Sequence, residues 1–259
     1  MKLTDWWRGW RQQRALERRA VPDDLWLDTL RRYPFLRRRP MHELQRLREM
    51  TALFLDRKEF SAAGGLELRD DMAVAIAAQA CVPVLQLGLD WYDGFVGIVL
   101  HPQEVQVERT WTDEDGVVHQ FEETLAGEAV HGGPVMLSWQ DVQAAGEHPE
   151  DGYNVVIHEF VHVIDQRNGV ADGHPPQRDL AAARRWEQVM QREFERLCNQ
   201  LEAGDATYLD PYAAQGLEEF FPVSAEAFFT APGELRHFHP DLYDLLRDYF
   251  GQDPARWAP

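Results

Sequence analysis

The chain has 259 residues, enough for a substantial core, with 44% hydrophobic and 11% aromatic residues, as in globular proteins. Its formal net charge of -18 argues against nucleic-acid binding, which needs a basic surface to neutralise phosphates. No apolar run reaches the length of a membrane span. No secretory signal is visible at the N-terminus, so the expected location is the cytoplasm. Cys81 and Cys198 are too few and too far apart for a disulfide framework and read as buried thiols.

In chain order, residues 1–20 stand apart as an N-terminal arm, and residues 21–259 read as one domain. Trp6, Trp7 and Trp10 precede Arg11, Arg14, Arg18 and Arg19. The segment reads as a short basic amphipathic helix, expected to dock on the protein's own body in preference to a membrane surface or a partner. Leu44, Leu47, Met50, Leu53 and Phe54 give helical spacing over residues 41–55. After Gly64-Gly65, Leu66–Leu68 reads as a short strand and Asp70-Asp71 as the start of a helix through Ala80. Strands follow at residues 95–100, in a hairpin at 105–112 and 117–124, and at 135–137. Helices follow at about 152–167, 180–201, 217–229 and 240–250. The pattern is a mainly helical α+β fold with a small, largely antiparallel sheet. One strand is expected to run beside the site, where an extended peptide can pair with it.

The segment His158-Glu159-Phe160-Val161-His162 has the spacing His-Glu-x-x-His. On a helix, histidines four residues apart lie one turn above each other and can share a tetrahedral Zn²⁺. The intervening Glu159 then reaches the open coordination position as a general base. The motif interrupts an apolar stretch, where unpartnered histidines and a glutamate are costly to bury.

Two histidines leave a catalytic zinc one protein ligand short. Asp165 and Asn168 stand where a metzincin extension needs glycine and histidine. The third ligand is therefore expected to be a glutamate from a later helix. Glu187, Glu193, Glu195 and Glu202 are interspersed with arginines and resemble a solvated face. Glu219 and Glu226 share one face among Phe220, Phe221, Val223, Ala225, Phe228 and Phe229, and the pattern does not separate these two. Asp165 shares the face of the motif histidines, either as a hydrogen-bond acceptor for one of them or as a helix-end carboxylate pairing with Arg167 or Arg178. His131, His174, His237 and His239 lack ligand spacing and read as surface or loop residues.

Three stretches resemble the bacterial Mlc titration factor A family of zinc peptidases. They are residues 81–95 with Gly88-Leu89-Asp90-Trp91-Tyr92-Asp93-Gly94-Phe95, residues 154–169 with Asn154 through Gly169, and residues 210–229 with Asp210-Pro211-Tyr212 and Glu219 through Phe229. The resemblance implies a zincin-like catalytic domain whose core is related to the anthrax lethal factor protease. It implies that His158, His162 and Glu219 hold zinc, with Glu159 as base and Tyr212 as a second electrophile across the site. Glu226 then becomes a supporting carboxylate, with Asp165 a further candidate for that role. It also implies aminopeptidase-type activity on short peptides, linked to the glucose phosphotransferase system, or sequestration of an Mlc-type transcriptional repressor with little catalysis. Pro222 departs from the family pattern and places Glu219 close to a helix start.

Overall fold

The computed structural model describes residues 20–112, 118–129, 132–147 and 152–257. The tryptophan-rich arm and His131 lie outside these residues, as does the turn of the hairpin. The helices are α1 (Asp23–Arg32), α2 (Pro34–Arg37), α3 (Met41–Arg57), α4 (Asp70–Ala80), α5 (Trp139–Glu147), α6 (Val155–Asp165), α7 (Leu180–Glu202), α8 (Leu217–Thr230), α9 (Pro232–Phe238) and α10 (Pro240–Phe250). The strands are β1 (Glu59–Ala62), β2 (Gly97–His101), β3 (Val105–Thr112), β4 (Val118–Leu125), β5 (Gly127–Ala129) and β6 (Val135–Ser138). The expected α+β class is present. Helices α1, α2, α5 and α9 were not among the sequence expectations.

The sheet differs from its expectation. Its order is β1-β2-β6-β5; β1–β2 and β2–β6 are parallel, and only β5–β6 is antiparallel. The four-stranded sheet is mixed, not largely antiparallel. The sequence analysis missed β1, whose crossover to β2 through residues 63–96, including α4, makes one parallel pair; β2 and β6, both expected as strands, form the other. Leu66–Leu68 belongs to that crossover and forms no strand. The hairpin is as expected, with β3 and β4 antiparallel from Val105↔Leu125 to Thr112↔Val118.

A continuous apolar core runs beneath α6 and α8. Asn154 caps α6, its side-chain oxygen accepting from the Ile157 N–H at 2.9 Å. One face of α6 is fixed by Phe160, which is fully buried with ring centroids 5.1 Å from Tyr92, 5.6 Å from Phe54 and 5.7 Å from Phe95. The other face carries the histidines. In α8, Glu219 sits in the first turn while Pro222 falls beyond it, inside the helix. The proline removes one backbone donor, and α8 is held by burial of Phe220, Phe221, Phe228 and Phe229 instead.

The segment after α6 is tied at Gly173. Its N–H donates to Asp165 at 2.7 Å, and its carbonyl accepts from the Trp186 indole at 2.8 Å. Gly173 has φ +76°, and a Cβ there would lie 2.4 Å from the Leu217 carbonyl oxygen, so glycine alone fits. Among the described residues, no helix is long and apolar enough to cross a membrane.

Candidate metal centre

Helices α6 and α8 bring His158, His162 and Glu219 together. The two Nε2 atoms are 3.2 Å apart, and Glu219 Oε2 lies 3.1 Å from His158 Nε2 and 3.5 Å from His162 Nε2. Ligand bonds of about 2.0–2.1 Å in a tetrahedron give ligand–ligand separations of roughly 3.3 Å. The three atoms therefore form a triangle of the size of one face of such a tetrahedron. These residues are also the one group of histidine, cysteine and acidic side chains among the described residues with metal-binding geometry. Two imidazoles and a carboxylate suit a borderline divalent ion better than magnesium or calcium.

The surroundings orient this set. His158 Nδ1 lies 2.7 Å from Glu226 Oε1, so the proton belongs on Nδ1 and the Nε2 lone pair faces the triangle. The other oxygen of Glu226 accepts the Asn154 backbone N–H. The Asn154 amide in turn donates to Gln79 Oε1 at 2.7 Å, and Gln79 donates to the Ala75 carbonyl at 3.1 Å. A buried chain of hydrogen bonds thus runs from His158 into α4. Pattern alone left Glu219 and Glu226 unresolved; the structure puts Glu219 at the triangle and Glu226 behind His158.

Glu159 is buried beside the triangle and faces a cavity of about 400 Å³, which His158, Tyr212 and Glu226 also line. Burial raises the pKa of Glu159, and also that of Glu226, above the ordinary carboxylate range. Glu219 is only half-buried; desolvation pushes its pKa up, but its hydrogen bonds to His158 and His162 outweigh that and hold it well below that range. Tyr212 stands across the cavity, its ring centroid 6.0 Å from that of His158. It is carried on a short 3₁₀ turn (Pro211–Gln215), with Asp210 accepting the Tyr212 N–H at 2.8 Å.

The strand beside the motif helix is β5, the edge strand, which lies between the expected strands. Gln166 pins it by donating to the Ala129 carbonyl at 2.8 Å. A Cβ on Gly127 would fall 2.6 Å from both Cγ and Oε1 of Glu159, so this glycine makes room for that side chain. The available sequence signal was a glycine following a strand; Asn154 and Gln79 gave no signal beyond polarity inside apolar runs.

Several expectations are corrected. Asp165 does not hydrogen-bond a histidine, nor does it pair with Arg167 or Arg178; it accepts the Gly173 N–H. Desolvation raises its pKa to about 6, partly offset by that bond. His239 and Glu193 are not solvated: both are buried and paired, Nδ1 to Oε2, at 2.9 Å. Cys81 is buried as expected, but Cys198 is only half-buried.

Residues 7–251 match the glucose-regulated metallo-peptidase M90 family. The chain belongs to that family. It is 37% identical to Mlc titration factor A of Serratia proteamaculans over 234 residues, covering 88% of this chain and 87% of the relative. It is 33% identical to Mlc titration factor A of Escherichia coli strain SMS-3-5 over 252 residues, 95% of this chain and 92% of the relative. An uncharacterised protein of Synechocystis is 35% identical over 251 residues, 96% and 90%. As a member of this metallopeptidase family, the chain places its histidine–glutamate triangle where α6 meets α8.

Proposed function

We propose that this protein is a zinc-dependent peptidase in which His158, His162 and Glu219 hold the metal and Glu159 is the general base. The observation that carries this reading is the metal-sized triangle of donor atoms with a buried glutamate, Glu159, facing the adjoining cavity. Zinc, when bound, supplies a Lewis acid for a peptide carbonyl and makes water easier to deprotonate. Glu159 takes the proton from the attacking water and passes it to the leaving amine, a role its burial favours. The phenol of Tyr212 donates a hydrogen bond to the developing oxyanion. Glu226 keeps the His158 ring in the tautomer that leaves Nε2 free to coordinate. Substrates are short peptides cleaved in the aminopeptidase manner, in keeping with the resemblance to the titration factors.

The Serratia and Escherichia coli relatives, titration factors for Mlc by name, support a second reading. In it the chain binds an Mlc-type repressor and influences the glucose phosphotransferase system, with little catalysis. Metal analysis and hydrolysis of short peptides by wild type and Glu159→Gln separate the two. The peptidase reading expects one zinc per chain in both proteins, and a rate at least about 100-fold lower in the variant. Zinc in both with hydrolysis in neither favours the binding reading. Zinc in neither overturns the assignment of the metal site.

A further inference from the structure

Among the described residues, four carboxylates and no lysine or arginine line the cavity beside the triangle: Glu104, Glu159, Asp210 and Glu226. They differ in what already holds them. Glu226 is engaged at both oxygens, by His158 and by the Asn154 N–H. Glu159 is 5% exposed, faces the cavity and accepts no hydrogen bond from a described residue, a costly arrangement for an anion unless positive charge stands nearby. A divalent ion in the triangle would meet that need for Glu159 and Glu219, but Glu104 and Asp210 are not part of the triangle. Glu104 precedes β3. One step beyond the Val105↔Leu125 pair the register sets it beside Ala126, and Ala126 and Gly127 line the cavity next to Glu159. Asp210 belongs to the wall that carries Tyr212, one oxygen accepting the Tyr212 N–H at 2.8 Å and the other free of any described donor. Neighbouring groups register the negative field. Desolvation raises the pKa of Tyr153, and Glu226, Asp141, Glu159 and Glu104 raise it further; Asp210 adds to the upward push that burial exerts on Glu226.

We infer that Glu104 and Asp210 form a cation subsite of the cavity, which receives an ammonium group of the peptide substrate, either its free N-terminus or a lysine side chain beside the cleaved bond. The inference rests on the peptidase reading and names what the same cavity selects. An ammonium group brings a positive charge and several N–H donors. Glu104 has a carboxylate with no ion pair or hydrogen bond among the described residues, and Asp210 offers its second oxygen while keeping the bond that caps the Tyr212 turn. Charge-assisted hydrogen bonds of this kind are the strong ones, and neither partner has to give up an existing bond to form them. An acidic group would instead add negative charge to a wall that holds no counter-ion. An acetylated N-terminus without a lysine leaves both carboxylates with water alone.

The test compares full-length, zinc-loaded wild type with Glu104→Gln/Asp210→Asn, which removes both charges at nearly constant size; an asparagine can still accept the Tyr212 N–H. The first readout is kcat/KM on three quenched peptides of one apolar sequence: with a free N-terminus, N-acetylated, and N-acetylated with lysine beside the cleaved bond. The second is calorimetric binding of leucine, N-acetyl-leucine and N-acetyl-lysine hydroxamates, which carry the same three end groups. Wild type is expected to favour at least one charged form over the neutral one by about ten-fold or more. Which charged form it favours names the source of the ammonium group, and either supports the subsite. The double variant should lose most of that preference, and Glu104→Gln alone, at an exposed position, should lower it by about two- to five-fold. No preference for a charged form in wild type, or the same preference in the folded variants, overturns the subsite. Hydrolysis of none of the peptides overturns the peptidase reading instead, and the hydroxamate ratios still decide the subsite.

Discussion

Nδ1 of His158 and Oε1 of Glu226 lie 2.7 Å apart, inside a site where both residues are buried and the second oxygen of Glu226 is taken by the Asn154 N–H. The carboxylate fixes both the rotation and the tautomer of the histidine. Outer partners of this kind typically change metal affinity by 10–100-fold when removed. Glu226→Gln is expected to weaken zinc binding by about that factor while the protein stays folded. Competition with a chromophoric chelator reads this directly, and an affinity equal to wild type would show that the hydrogen bond does not support the ligand.

Tyr212 faces His158 across the cavity on a turn capped by Asp210. If its phenol stabilises the oxyanion, Tyr212→Phe lowers kcat by ten- to a thousand-fold with little change in zinc content. A normal kcat with a raised KM would assign the ring to substrate binding alone.

Gly127 offers a steric test that leaves every polar group in place. A Cβ at this position would fall 2.6 Å from Glu159 Cγ, so Gly127→Ala must push the glutamate aside. The expected result is a fall in kcat of at least about ten-fold with zinc retained, since misplacing a catalytic group by an ångström costs rate steeply. Unaltered turnover would mean that Glu159 has no fixed position to lose.

The buried Glu193–His239 pair lies away from the metal centre and sets a pH dependence of stability. Burial pushes the Glu193 pKa up, but the His239 hydrogen bond together with Arg196 and Arg192 brings it below the ordinary glutamate value. A carboxylate depressed in the folded state stabilises above its unfolded pKa of about 4.3 and loses that contribution as pH falls through the folded value. Glu193→Gln is therefore expected to cost about 1–3 kcal/mol at pH 7. Its melting curve should approach that of wild type under strongly acidic conditions. A gap independent of pH would trace the loss to packing and not to charge.

Much of the metal centre was legible because helical geometry is local. The four-residue spacing of His158 and His162 fixes their common face, and an apolar context around Glu219 and Glu226 marks both carboxylates as needing partners. Which glutamate meets the metal was not legible from pattern, since both lie on one face of α8 and the difference depends on where α6 crosses it. The same limit explains Asp165. Its partner is the backbone N–H of Gly173, and backbone donors in loops carry no residue signature. Glu193 looked solvated because arginines flank it; the docking of α10 against α7 buries it. Strand β1 was missed because Glu-Phe-Ser-Ala has little strand propensity, and the parallel pairing of β2 with β6 was missed because propensity does not report how two strands are oriented.

Asn154 caps α6 with its side chain, binds Gln79 with its amide and holds Glu226 with its backbone N–H. Helix ends ordinarily fray, and their amide protons exchange with solvent long before the interior. Here the Ile157 N–H is bonded to the Asn154 side chain and the His158 N–H to the Asn154 carbonyl, at the start of the helix that carries the histidines. Opening this first turn would break the bonds around Asn154 together and loosen the support of His158. The expected signature is hydrogen exchange at these two amides as slow as in the aromatic core, so that the ligand-bearing turn opens only when the molecule as a whole does.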